Sequence, residues 1–288
     1  MRKLVAMVVV TILMVGSIET SAQTVDAGRG DIPLIVPTDY DDQTAVPLLV
    51  LLHGYSFTGN RQEDYMKFGE LVNSHGFLLA YPDGTQESGG DRNQFWNAGE
   101  TCCNFMGSDV DDSAYVLSII QAVQSKFNID PKKIYLVGHS NGGFMSYRAA
   151  HDHSDTIAAI ASLAGAGLTI DASAPPNPVH VLQIHGTSDS VIAYEGGDIQ
   201  GNTYPGAVAT VKRWAGFNGC AVEGVDMGRI DLEKEIAGEE TTVTRYTKGC
   251  NSGGSSELWT IEDGSHVPVI SETFSQHIVE WLLAHPKS

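Results

Sequence analysis

KIYLVGHSNG, residues 133–142, is the stretch whose reading decides the fold. Its first half is a short apolar run rich in β-formers. Its second half turns through Gly138, His139, Ser140 and Asn141, and residues 141–150 take up a helical pattern. A buried strand that feeds a helix through so short a turn belongs to a layered α/β sheet. Gly138 and Gly142 stand two residues to either side of Ser140. A turn this tight needs nearly bare positions there, and it lifts the serine hydroxyl clear of the sheet edge.

Working outward, the same alternation repeats. Residues 46–53 (VPLLVLLH) form a continuous Val/Leu run, the signature of a strand buried on both faces. From Asn60 a helix is expected with Tyr65, Phe68, Leu71 and Val72 on one face and Gly76 as its stop. Residues 76–81 give a strand that ends at the turn Pro82-Asp83-Gly84. Residues 85–107 carry Gly, Asn, Ser, Trp96 and two adjacent cysteines, a long irregular stretch of the kind often tied to function. Ser108 and Asp111 predict a capping box for a helix striped by Val116, Ile119, Ile120, Val123 and Phe127 and closed by Pro131. The turn acids Asp111 and Asp112 read as helix-dipole stabilisers, with no catalytic role. Residues 157–163, 179–184 and 257–261 predict further strands. Val208, Val211 and Trp214 predict one helix, and Phe274, Ile278, Trp281 and Leu282 another. The acidic, Gly-rich stretch 221–255 reads as a peripheral hairpin or loop. The expected fold is α/β, a mostly parallel central sheet flanked by helices on both faces, in a single domain over residues 23–288.

Residues 1–22 read as a removable leader. Arg2 and Lys3 precede the apolar run 4–16, and Thr20-Ser21-Ala22 offers a cleavage site before Gln23. The run falls short of the roughly 18 apolar residues a membrane span needs, so a secreted or periplasmic location without stable membrane association is expected. The formal charge of −18 repels nucleic acid and anionic membranes and favours a neutral substrate. Four cysteines in an exported chain point to disulfides. Cys220 and Cys250 bracket the acidic stretch and read as a long-loop staple. For Cys102 and Cys103 a vicinal bridge, two free thiols or pairing across to the other two remain open. Nothing in the spacing predicts a metal site, and no cofactor is expected. Oligomeric state is not written in the pattern.

The chemistry follows from Ser140. A serine hydroxyl needs a base to take its proton and a carboxylate to orient that base. A strand–GxSxG–helix turn is the nucleophile elbow of the α/β-hydrolase fold, in which the chain order is Ser, acid, His. Asp189, in His185-Gly186-Thr187-Ser188-Asp189 beyond a strand end, fits the acid. His266, in Asp263-Gly264-Ser265-His266, fits the base better than His277 or His285, which fall in or at the end of the last helix. The oxyanion hole would be the backbone N–H groups of Asn141, next after the serine, and Tyr55, in the loop after 46–53.

Taken together, His53-Gly54, Trp96-Asn97-Ala98-Gly99, Cys102-Cys103, Val110-Asp111-Asp112, Gly138-His139-Ser140-Asn141-Gly142-Gly143, His185-Gly186-Thr187-Ser188-Asp189 and Gly264-Ser265-His266 resemble the polyhydroxybutyrate-depolymerase-like branch of carbohydrate esterase family one. That branch includes feruloyl and acetylxylan esterases. The resemblance implies a serine esterase with the triad Ser140, His266 and Asp189, acting on a possibly polymeric ester. It departs from the family at Tyr55, where many depolymerases have Cys, and at Val267, where the family often has an aromatic residue before the proline. Both departures bear on the pocket mouth. Trp96, His139 and Val267 are accordingly the candidate substrate contacts, with Trp96 equally readable as a loop anchor. Transfer of the acyl group to a sugar by the same triad, and a non-catalytic binding module, are the competing functions.

Overall fold

A computed structural model of the chain describes residues 21–167 and 173–288. All but the last two residues of the expected leader therefore lie outside the described residues; Ser21 and Ala22 open the first strand. In chain order the elements are β1 (Ser21–Asp26), β2 (Asp31–Val36), β3 (Val46–Leu52), α1 (Gly59–Met66), a 3-10 turn (Phe68–Leu71), α2 (Val72–His75), β4 (Leu78–Ala80), β5 (Thr85–Gln86), β6 (Gln94–Phe95), α3 (Asp112–Gln124), β7 (Ile129–His139), α4 (Asn141–Asp152), β8 (Ala159–Leu163), β9 (His180–Gly186), β10 (Gly196–Ile199), β11 (Asn202–Pro205), α5 (Ala207–Phe217), β12 (Val225–Ile230), β13 (Thr241–Tyr246), β14 (Ser255–Ile261) and α6 (Phe274–Leu283).

One ten-stranded sheet runs in the order β1-β2-β4-β3-β7-β8-β9-β14-β13-β12. Its middle six strands, β4 to β14, pair in parallel. The pairs at either end are antiparallel. Alternate residues of the central strands serve two apolar layers, as the two-residue period of a strand requires. Leu48, Val50 and Leu52 of β3 join Leu136 of β7 beneath α3 and α4, with Val116, Ile119, Phe144 and Tyr147. Leu49 and Leu51 join Tyr135 and Val137 on the other face, against Met66, Phe68 and the Phe274, Ile278 and Trp281 stripe of α6. A strand walled on both sides can carry no polar alternation, which is why these runs read as continuous apolar sequence.

Three expectations change. The single helix expected after Asn60 is broken at Lys67, whose φ of 57° is left-handed. There the Glu63 carboxylate takes the N–H groups of Phe68 and Gly69, ending α1 with a side-chain acceptor that helical periodicity does not reveal. Those two bonds stand against burial, which with the neighbouring acids pushes Glu63 up to about 7. The capping box is a simple cap: Asp111, at the N-cap itself, accepts from the Ala114 N–H at 2.9 Å, while Ser108 bonds Asn104 through its backbone. Pro131 sits inside β7, at a register shift between β3 and β7, rather than closing a helix. Of the two readings of 221–255, hairpin or loop, the hairpin holds. It supplies β12 and β13, which extend the main sheet. The hairpin β1–β2 at the opposite edge had no sequence forecast.

Candidate active site

The elbow is built by β7 and α4. Ser140 stands between them with φ 52° and ψ −118°, a conformation that costs a non-glycine residue on the order of 1–3 kcal/mol. It persists because the neighbours leave no alternative. A β-carbon at Gly138 would strike the Gly142 carbonyl, and one at Gly142 would strike the Leu52 carbonyl at the end of β3. The Ser140 N–H is meanwhile held by Leu163 O at 2.8 Å. The first amides of α4 point toward the serine without intrahelical partners, as at any helix N-terminus.

Asp189 and His266 come from loops at the same edge of the sheet, after β9 and β14. The two loops are laced together: Thr187 N–H donates to Ile261 O, Ser188 N–H to Gly264 O and Asp263 N–H to Thr187 Oγ1. His266 Nε2 lies 2.9 Å from Ser140 Oγ, and His266 Nδ1 lies 2.8 Å from Asp189 Oδ2. Burial alone would raise the Asp189 carboxyl. Hydrogen bonds from His185, His266 and the Val191 N–H overcome it and hold the group far below the ordinary carboxylate range. An ionised carboxylate only accepts, so His266 carries its proton on Nδ1 and turns the Nε2 lone pair to the serine.

The loop that carries His266 is itself held. His139 donates from Nε2 to the His266 carbonyl at 3.0 Å, and Tyr65 donates its hydroxyl to Pro268 O at 2.8 Å. Burial first, and the nearby His266 second, push His139 down to about 4. It is therefore neutral at pH 7, and no second cation forms beside the His266 ring, 5.3 Å away.

The third wall is the loop after β3. Gly54 lies against the serine: a β-carbon on it would stand 3.6 Å from Ser140 Cβ. Its own N–H goes to Gln62 Oε1 and the Ser56 N–H to Gln94 O. Among the described residues the intervening Tyr55 N–H has no partner. His53 fixes this loop from below. Its Nε2 accepts from the Gly84 N–H, so the proton sits on Nδ1, which donates to Gly54 O.

Of the three candidate substrate contacts, only Val267 reaches solvent, at 45% exposure. Trp96 and His139 are buried, and the contacts they make are with the protein's own loops. Trp96 donates its indole N–H to His53 O, and its backbone is gripped on both sides by the Asn141 side chain. Asn141 Oδ1 accepts from Trp96 N–H at 2.7 Å, and Asn141 Nδ2 donates to Trp96 O at 2.9 Å. Sequence reasoning gave Asn141 only a backbone role. It also missed Asp112, which is fully buried and accepts from Arg29 Nη1, Thr85 Oγ1 and Asn97 N–H at 2.5, 2.8 and 2.6 Å. Asp112 thus clamps the irregular loop 85–107 to α3. The one available signal was its place in the Val110-Asp111-Asp112 motif. Cys102 and Cys103 are bonded to each other in that loop, and Cys220 to Cys250. Among the described residues no group of three or more His, Cys, Asp or Glu is arranged to hold a metal ion.

These features agree with what the chain is similar to. It is 34% identical over 196 residues to feruloyl esterase B of Piromyces equi, covering 65% of this chain and 35% of that protein. It is 32% identical over 169 residues to a bifunctional acetylxylan esterase/xylanase of Neocallimastix patriciarum, covering 59% of this chain and 22% of that one. The chain therefore spans about a third or less of these relatives' length. Among solved structures, the acetyl xylan esterase from Aspergillus awamori shares the fold at a TM-score of 0.62 and 16% identity, covering 91% of this chain and 98% of that one. The family described as Esterase PHB depolymerase matches residues 35–218. The chain belongs to the esterase PHB depolymerase family.

Proposed function

We propose that the protein hydrolyses carboxylic esters through an acyl-enzyme on Ser140, with His266 as base and Asp189 as its orienting acid. The observation that carries the reading is the pair of contacts at 2.9 and 2.8 Å that run from Ser140 through His266 to Asp189. His266 Nε2 takes the hydroxyl proton as Ser140 Oγ attacks the ester carbonyl, and then returns it to the departing alkoxide. The oxyanion is held by the N–H groups of Tyr55 and Asn141, each worth about 2.7–4 kcal/mol in the transition state. Water, activated by the same His266, then releases the acid.

The substrate is a feruloyl or acetyl ester of plant polysaccharide, or a polyester of the polyhydroxybutyrate kind. Val191, Val267 and Phe105 support an ester with an apolar portion. They are exposed, and they adjoin Asp189, His266 and, by ring contact, Tyr55. The chain acts as one catalytic domain over residues 23–288 and is exported. Among the described residues no helix is long and apolar enough to cross a membrane.

Purified protein is expected to cleave p-nitrophenyl acetate and to take one fluorophosphonate label at Ser140. Absence of both would end the enzyme reading. A panel of methyl ferulate, acetylated xylan and polyhydroxybutyrate then assigns the ester, and added sugar acceptor yielding free acid alone disposes of acyl transfer.

A further inference from the structure

His185, on β9 four residues before Asp189, is buried with 1% exposure, and the triad reading gives it nothing to do. Its proton can be placed from its neighbours. Gln183 Oε1 accepts from the Tyr147 hydroxyl at 2.7 Å, so the Gln183 amide nitrogen is the end that faces Gly165 O and His185 Nδ1, at 2.8 and 3.0 Å. An amide nitrogen only donates. His185 Nδ1 therefore accepts, and the ring proton is on Nε2. That N–H faces Ile192 O at 2.8 Å and Asp189 Oδ2 at 3.3 Å.

Oδ2 is the oxygen that receives His266 Nδ1–H. The other oxygen, Oδ1, is pinned by the N–H groups of Val191 and Ile192 at 2.9 and 2.8 Å. The Ile192 residue is thus held from both sides, its N–H by Asp189 and its carbonyl by His185. A carboxylate pinned at one oxygen can still tilt about its last bond; a shared donor at the other limits that tilt. Tyr194 also faces His185, its ring edge-on at 5.7 Å and its hydroxyl engaged with Thr260.

We propose that His185 is a positioning residue for the reaction: neutral and proton-bearing at Nε2, it locks the 189–192 turn and holds Asp189 Oδ2 in line with His266. This rests on Asp189 being the orienting acid.

The test compares His185→Phe, which keeps ring volume without a donor, with His185→Gln, which keeps an N–H. His185→Phe is expected to lower kcat about tenfold to a hundredfold, the scale of one hydrogen bond to a charged group, with KM within about twofold; His185→Gln recovers most of the loss. In an Asp189→Asn background His185→Phe should change kcat by less than about twofold, because groups that act as a unit are not additive. His185→Asn, too short to span to Oδ2, reads the same loss if the phenyl ring prevents folding. An unchanged kcat, a loss that repeats in full on Asp189→Asn, or a failure of Gln to rescue would overturn the proposal. If Asp189→Asn alone leaves kcat intact, it is instead the triad reading that falls.

Discussion

The strands around Ser140 and the acidic flap β12–β13 belong to one sheet, yet they are held by different forces. β3, β7 and β8 are largely apolar on both faces, β9 sets the buried Gln183 and His185 among apolar residues, and all four are buried through their centres. β12 is the edge strand and is exposed over most of its length. What sets the flap apart is polar and covalent, added to the apolar packing of Leu232 and Val243. The buried Glu240 carboxylate accepts from the N–H groups of Leu232 and Glu233 and from Thr241 Oγ1, and Cys220–Cys250 ties its base. The flap nonetheless touches the functional edge, since Lys234 N–H donates to Val269 O and Ser271 N–H to Leu232 O, just beyond His266. The centre builds the proposed reacting groups; the flap braces one of their loops.

If that division is right, the largest effects come from the centre. His266→Ala should lower kcat by about 10³–10⁶-fold, because triad members act as a unit. His277→Ala, on α6 with its ring against Trp259, should change it by less than about twofold. Steady-state kinetics on p-nitrophenyl acetate separate the two. A silent His266→Ala with an impaired His277→Ala would reassign the base.

How much was legible follows the same division. The central strands could be read because burial on both faces leaves a continuous apolar run, and the elbow because its geometry demands Gly at two fixed positions. Ser140, Asp189 and His266 could be nominated from chain order and from their places after strands. Asp112 and the Asn141 side chain could not. Each acts on a partner at least 15 residues away, and an acid in a first helical turn looks the same whether it faces water or a buried backbone amide. The flap could be read only as a hairpin or a loop for a third reason: its edge strand β12 is wet on both faces and so has no apolar alternation to tell it from a loop.

The pair Asp111 and Asp112 turns that lesson into a second experiment. Asp111→Ala removes an exposed cap and should cost about 1 kcal/mol of stability, with kcat unchanged. Asp112→Ala strips the acceptor from the half-buried Asn97 N–H, from Thr85 and from Arg29, a loss of about 2–3 kcal/mol on the scale of hydrogen bonds to a charged group. It should also loosen the loop that carries Trp96 against His53, lowering kcat about tenfold. Denaturant unfolding and kinetics on the two variants read both quantities. Equal stability losses would mean that Asp112 is no more than a dipole partner.

The smallest catalytic effect is expected at the flap. Cys220–Cys250 closes a loop of sequence separation 30, and opening such a loop costs about 3–4 kcal/mol in the chain-entropy account. The double variant Cys220→Ser/Cys250→Ser should therefore unfold about 5–10 °C lower. Its kcat should stay within about twofold, because the bridge sits at the base of the flap. The contacts that reach the His266 loop come from residues 232–234, and the β13–β14 ladder keeps those in register without it. A kcat that fell as far as in Asp112→Ala, with Tm unmoved, would put the bridge inside the active-site machinery and dissolve the distinction between centre and flap. A fall in Tm alone would confine the disulfide to stability, leaving orientation of the His266 loop to His139, Tyr65 and the backbone of 232–234.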